Sequence, residues 1–268
     1  MQISSRRISS AVQADLETRK MVFISGPRQC GKTTLAKEII GDAGAYYNWD
    51  SPKDRPKIKG RVLSEDAGTW VFDELHKFTR WRNWLKGLYD DYGKQHGIIV
   101  TGSAKLNLFA RGGDSLQGRY FHHRLHPLTV SELIQSKLSN AEGTKAWASF
   151  KHQLNNDASK DATEHLLSFG GFPEPFLRAN QTFSKRWTQS YTERLIHEDI
   201  RDLYRFPDLS SLELLFQRLP ETVGSSVTYA RYSKDLETSF EAVKRWIDAF
   251  ENLYGIFRVS PYGPPKIR

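Results

Sequence analysis

The stretch Gly26-Pro27-Arg28-Gln29-Cys30-Gly31-Lys32-Thr33-Thr34 decides how this chain is read. Its spacing fits G-x-x-x-x-G-K-[ST], a phosphate-binding loop. The flanks fit as well. Met21-Val22-Phe23-Ile24 is an apolar run that enters the loop as a short buried strand, and Leu35, Ala36, Ile39 and Ile40 leave it with helical spacing. Each position has a chemical task. Gly26 and Gly31 let the backbone curl so that successive N–H groups point at phosphate oxygens. Lys32 places a cation on the β- and γ-phosphates, and the Thr33 hydroxyl can ligate Mg²⁺. The helix that starts here aims its positive end at the nucleotide. A glycine-rich turn with a chance lysine is the competing reading. Strand, loop and helix in that order argue against it.

Working outward, Thr69-Trp70-Val71-Phe72-Asp73-Glu74 is the second landmark. A short apolar strand ends in two adjacent carboxylates. In phosphate-loop enzymes an acid at this strand end holds Mg²⁺, directly or through water. Strand alternation sends the two side chains to different sides. Asp73 is therefore assigned to the metal and Glu74 to polarising the attacking water. Alone, an apolar strand ending in Asp-Glu is weak evidence; about 40 residues after a phosphate loop it is strong.

The remaining elements complete an α/β pattern. Ala45–Trp49 reads as a strand, and Trp81, Trp84, Leu85 and Leu88 mark an amphipathic helix over residues 80–92. Gly97–Ser103 is another buried strand, whose end places Thr101 and Ser103 where a hydroxyl can touch the γ-phosphate or the water. Tyr120–Leu125 is a fifth strand. Before it lies a basic, glycine-flanked loop, Arg111–Arg119. Arg119, with Arg111 as the alternative, is a candidate to act in trans on ATP held by a neighbouring subunit of a homo-oligomer. A surface role competes with this for both. His122, His123 and His126 lack carboxylate or cysteine company, which argues against a metal site.

Composition sets outer bounds. At 268 residues the chain has room for about two domains. No apolar run approaches the roughly 20 residues that span a bilayer, so no membrane partner is expected. One cysteine, Cys30, excludes an internal disulfide and suits a reducing cytoplasm. Its place beside Lys32 at a helix N-terminus favours the thiolate, with a neutral filler of the loop as the alternative. The net charge of +8 favours acidic partners such as nucleic acid.

The expected organisation is a nucleotide domain over residues 1–134, a helical linker or insert over 135–205, and a compact unit over 206–268. Within 135–163 the composition turns polar, with Trp147 and Phe150 as exceptions. Phe169–Pro175 is a tight turn joining helices, and residues 182–204 form a long amphipathic helix. The last unit reads as three helices, Leu209–Leu219, Tyr232–Leu236 and Ser239–Leu253, followed by a strand, Tyr254–Val259. That is the layout of a winged helix. Lys244 and Arg245 fall on the outer side of the third helix, with Arg231, Lys234 and Arg258 flanking, as in a surface that contacts DNA phosphates. A mere packing unit is the alternative.

These stretches together resemble the AAA-type ATPases of bacteria and archaea that carry a C-terminal region of the DUF4143 type. The likeness rests on Gly26–Thr34, Val71–His76, the helix Trp81–Asp90, Thr101–Ser103, Ser115–Arg119 with Pro127–Leu133, Gly170–Pro173 and Val227–Pro261. It implies an AAA-like parallel sheet of order 5-1-4-3-2, a C-terminal winged helix, and ATP with Mg²⁺ as cofactors. Longer relatives continue into a nuclease-like domain, and nothing in this sequence supports nuclease chemistry. The function so implied is ATP hydrolysis coupled to movement of a nucleic-acid or protein partner, with a slow nucleotide-dependent switch as the alternative. Lys32→Ala is expected to abolish tight ATP binding in a protein that still folds, as checked by nucleotide titration and circular dichroism.

Overall fold

The computed structural model describes residues 6–103, 116–134, 156–201, 204 and 206–260. Arg111, Trp147 and Phe150 lie outside the described residues. The chain divides into two units, Met1–Trp187 and Thr188–Arg268.

Five strands build the first unit: β1 (Met21–Ser25), β2 (Gly44–Asn48), β3 (Thr69–Asp73), β4 (Gly97–Gly102) and β5 (Tyr120–Arg124). They form one parallel sheet of order β2-β3-β4-β1-β5, the order that the family resemblance implies. Parallel strands are buried on both faces, which is why β1 and β4 are apolar nearly throughout. Side chains alternate between the faces with period two. Phe23, Tyr47, Trp70, Phe72, Ile98 and Val100 point one way, under α3 (Asp54–Gly60) and α4 (Trp81–Tyr92). Val22, Ile24, Val71 and Ile99 point the other way, toward Val12 of α1 (Ser9–Glu17) and Leu35 and Ala36 of α2 (Lys32–Ile40).

Register then fixes what meets at the carboxyl ends of the strands. Asp73 lies beside Thr101 on one side and Asn48 on the other, and Ser25 lies beside Gly102. Asp73, Thr101 and Tyr46 belong to the α2 face by parity, so they face the helix that leaves the phosphate loop. Among the described residues, β5 is followed by the helices α5 (Val130–Leu133), α6 (Asp157–Phe169), α7 (Pro173–Arg178) and α8 (Gln181–Arg194).

The second unit is helical, with α9 (Leu209–Arg218), α10 (Tyr229–Asp235) and α11 (Phe240–Asn252). On α11, Val243, Trp246, Ile247 and Phe250 are buried while Lys244 and Arg245 are exposed, as the spacing requires. The expected strand over 254–259 is absent. The chain turns at Tyr254, whose φ is 62°, and runs on without a strand partner among the described residues, with Phe257 and Val259 each 85% exposed. β-propensity is a preference for a pleated, half-buried surface, and the described residues of this unit offer no strand to pair with. Instead Arg258 ties the segment back to Glu251, Asp248 and Tyr229. A winged helix is thus not what the described residues form.

Leu85 is fully buried in the α4 face of the larger core. Leu85→Ala is expected to lower the unfolding free energy by about 2–5 kcal/mol, measured by urea denaturation.

Candidate nucleotide site

The loop from Gly26 to Gly31 needs its glycines for two different reasons. A side-chain carbon on Gly26 would lie 2.2 Å from the carbonyl oxygen of Leu125, just past β5. Gly31 has φ of 98° and is the residue from which α2 starts. Lys32 is only 7% exposed. Its Nζ donates to the carbonyl oxygens of Gly26 at 3.1 Å and Pro27 at 2.8 Å. An ammonium has three donors, so one is left for a ligand. Pro27 is buried, Arg28 and Thr33 are half-buried, and Gln29 and Thr34 are exposed.

Asp73 is the meeting point. Its Oδ2 accepts from the Thr33 hydroxyl at 2.7 Å and from the Tyr46 hydroxyl at 2.6 Å, and its Oδ1 accepts from Thr101 at 2.5 Å. Burial pushes its pKa up, but the hydroxyls of Thr101, Tyr46 and Thr33 and the charge of Lys32 together outweigh that, and the carboxyl is held below its ordinary value. Thr101 is thereby a support for Asp73. Ser103, half-buried one residue past β4, stands at the same end of the sheet.

Glu74 leaves the strand in a left-handed conformation, with φ of 56°. Its N–H donates to the Thr101 carbonyl, while Oε2 lies 3.3 Å from Nζ of Lys77 and 3.6 Å from Nε2 of His76. Lys77 in turn sits 2.5 Å from Asp50, in the turn after β2. Burial raises the Glu74 pKa; Lys77 opposes this and the neighbouring Asp73 adds to it. Asp73 and Glu74 are thus adjacent in sequence but differently surrounded.

The residue that sequence reasoning missed most completely is Arg6. It is 7% exposed. Its guanidinium donates to the carbonyls of Cys30 at 2.7 Å and His126 at 2.5 Å, and pairs with Glu132 at 3.1 Å. Glu132 closes a capping box with Thr129 at the start of α5. Tyr46, Lys77 and Asp50 also escaped notice. Strand parity marks Tyr46 as an α2-face residue, but its reach to Asp73 needs the strand pairing.

One expectation changes. Cys30 is fully buried, and its Sγ lies 3.4 Å from the Leu125 carbonyl. Burial raises its pKa more than Lys32 and Arg6 lower it, so the thiol, not the thiolate, is favoured. Arg119, the candidate for action in trans, lies away from this chain's own phosphate loop. Its carbonyl receives the N–H of Met21, at the amino ends of the strands, and its side chain pairs with Asp90 of α4 at 3.1 Å. The histidines are spread among separate partners, His122 on Ser25 and His123 on Asp15.

Comparison with known proteins bears on the fold. Residues 18–134 match the family model described as an AAA domain. Residues 160–268 match a domain of unknown function, DUF8612, which corrects the expectation of a DUF4143-type region. An uncharacterized protein of Mycobacterium tuberculosis is 22% identical over 267 residues, covering 98% of this chain and 54% of its own length. One of Methanocaldococcus jannaschii is 22% identical over 275 residues, covering 95% of this chain and 60% of its own length. The chain therefore spans little more than half of these relatives. The Walker-type ATPase of Pyrococcus abyssi shares the fold with a TM-score of 0.55 at 14% identity, covering 94% of this chain and 92% of that one. No helix among the described residues is long and apolar enough to cross a membrane. By sequence over residues 18–134 and by fold, the nucleotide unit of this chain is similar to the AAA-type P-loop ATPases.

Proposed function

We propose that this chain binds ATP with Mg²⁺ on the Gly26–Thr34 loop, hydrolyses it, and passes the resulting change of shape to a nucleic-acid or protein partner. The observation that carries the reading is the 2.7 Å hydrogen bond between Thr33 and Asp73, which joins the phosphate loop to the acidic strand end. Hydroxyl and carboxylate oxygens are the donors that Mg²⁺ prefers, so Thr33 and Asp73 fit it. When bound, Mg²⁺ neutralises charge on the β- and γ-phosphates.

The chain's own residues do the rest. Lys32 turns its remaining donor to phosphate oxygens. Loop N–H groups and the start of α2 supply further positive potential. Glu74 accepts the proton of the attacking water, its burial making it a stronger base than an exposed glutamate. Ser103 orients the water or the γ-phosphate. Arg119, at the far end of the strands, acts on ATP held by a neighbouring copy. A slowly cycling switch is the second reading, favoured by the Lys77 ammonium 3.3 Å from the Glu74 carboxylate.

Glu74→Gln tests the reading. It should bind ATP as the wild type does and lose hydrolysis by about 10²–10⁴ in steady-state turnover. Wild-type turnover in the variant refutes Glu74 as the base, and negligible turnover in the wild type favours the switch.

For the partner we propose nucleic acid, contacted through phosphates by Lys244 and Arg245. Arg258 is withdrawn from that surface, because Glu251 and Asp248 neutralise it. Replacing Lys244 and Arg245 by Ala should weaken all duplex sequences alike, with the log–log salt slope flatter by about 0.9 for each lost contact. A titration at two salt concentrations measures this. Negligible wild-type affinity near physiological salt points to a protein partner instead.

A further inference from the structure

Tyr46 belongs to β2, the edge strand of the sheet, and nothing in a phosphate loop requires it. Yet its hydroxyl reaches the same carboxylate oxygen as Thr33, at 2.6 Å against 2.7 Å. Its ring is held from the other side. Nζ of Lys37 sits 4.2 Å from the ring centroid. Thr33 and Lys37 are one helical step of four apart, so they share a face of α2. Tyr46 is thus held at its hydroxyl by Asp73 of β3 and at its ring by Lys37 of α2.

The chemistry of that shared oxygen gives the grip a purpose. A threonine hydroxyl has one proton and two lone pairs. When Thr33 gives its proton to Asp73, both lone pairs are free for a cation. That arrangement holds only while the Asp73 carboxylate stays turned toward Thr33. Thr101 fixes Oδ1, and Tyr46 is the second donor on Oδ2. Resting on the nucleotide reading above, we infer that Tyr46 is a positioning residue for the metal. It locks the Asp73 carboxylate so that Thr33 presents its lone pairs to Mg²⁺.

The test is Mg²⁺ dependence of nucleotide affinity, read with a fluorescent ATP analogue across a Mg²⁺ series and in EDTA. Tyr46→Phe keeps the ring under Lys37 and removes only the hydroxyl. It should bind nucleotide in EDTA as the wild type does, and need about tenfold more Mg²⁺ for the metal-dependent gain, the scale of one hydrogen bond to a charged group. Tyr46→Leu should shift the Mg²⁺ requirement no further, since the ring is not what acts. An unchanged Mg²⁺ requirement in Tyr46→Phe overturns the proposal. So does an equal loss of affinity with and without Mg²⁺, which would mean a loosened site. Lys32→Ala runs in parallel. If it binds as the wild type does, or if the wild type binds nothing, the nucleotide reading itself fails and the role of Tyr46 falls with it.

Discussion

A carboxylate that is taken out of water and kept charged must be surrounded by donors. Asp73 is 5% exposed and meets that condition with three hydroxyls drawn from three elements: Thr33 of α2, Tyr46 of β2 and Thr101 of β4. This single constraint organises the nucleotide site. It ties the edge strand, the central strand and the loop helix to one atom group. It also opposes register slips, because sliding β2 or β4 by one residue would turn Tyr46 or Thr101 to the opposite face of the sheet. The aromatic core under α3 and α4 stabilises the same sheet by burial.

Much of this was legible in the sequence. The five strands, the loop and the helix after it follow from apolar runs, glycine spacing and period counting, all of which are local. The contacts that give the site its character are not local. Tyr46 and Asp73 are 27 residues apart, and Arg6 and Glu132 are 126 apart. No spacing rule connects such pairs, and each becomes visible only when the strand order is known. Cys30 failed for a related reason. Its sequence neighbours are cationic, but its surroundings in space are the apolar residues of the α1–α2 core, and burial dominates.

The C-terminal unit shows the opposite weakness of local reasoning. The pattern of α11 was read correctly because a helix satisfies its own backbone and needs only a face to bury. Tyr254–Val259 has the composition of a strand, but a strand needs a neighbour to bond with. Arg258 then found three partners on α10 and α11 and removed a positive charge from the surface that the sequence had assigned to it.

Arg6 carries a consequence for the order in which the nucleotide unit is completed. The loop's Cys30 carbonyl is braced by a side chain made near the start of the chain, which is itself steadied by Glu132. During synthesis, the loop sequence leaves the ribosome about 100 residues before that glutamate does, at roughly 5–20 residues per second. For those seconds Glu132 is not yet there for Arg6 to pair with, and Leu125, which packs against Gly26, is also unmade. The phosphate loop is therefore among the first functional stretches of this unit to be synthesised and among the last to reach its final geometry.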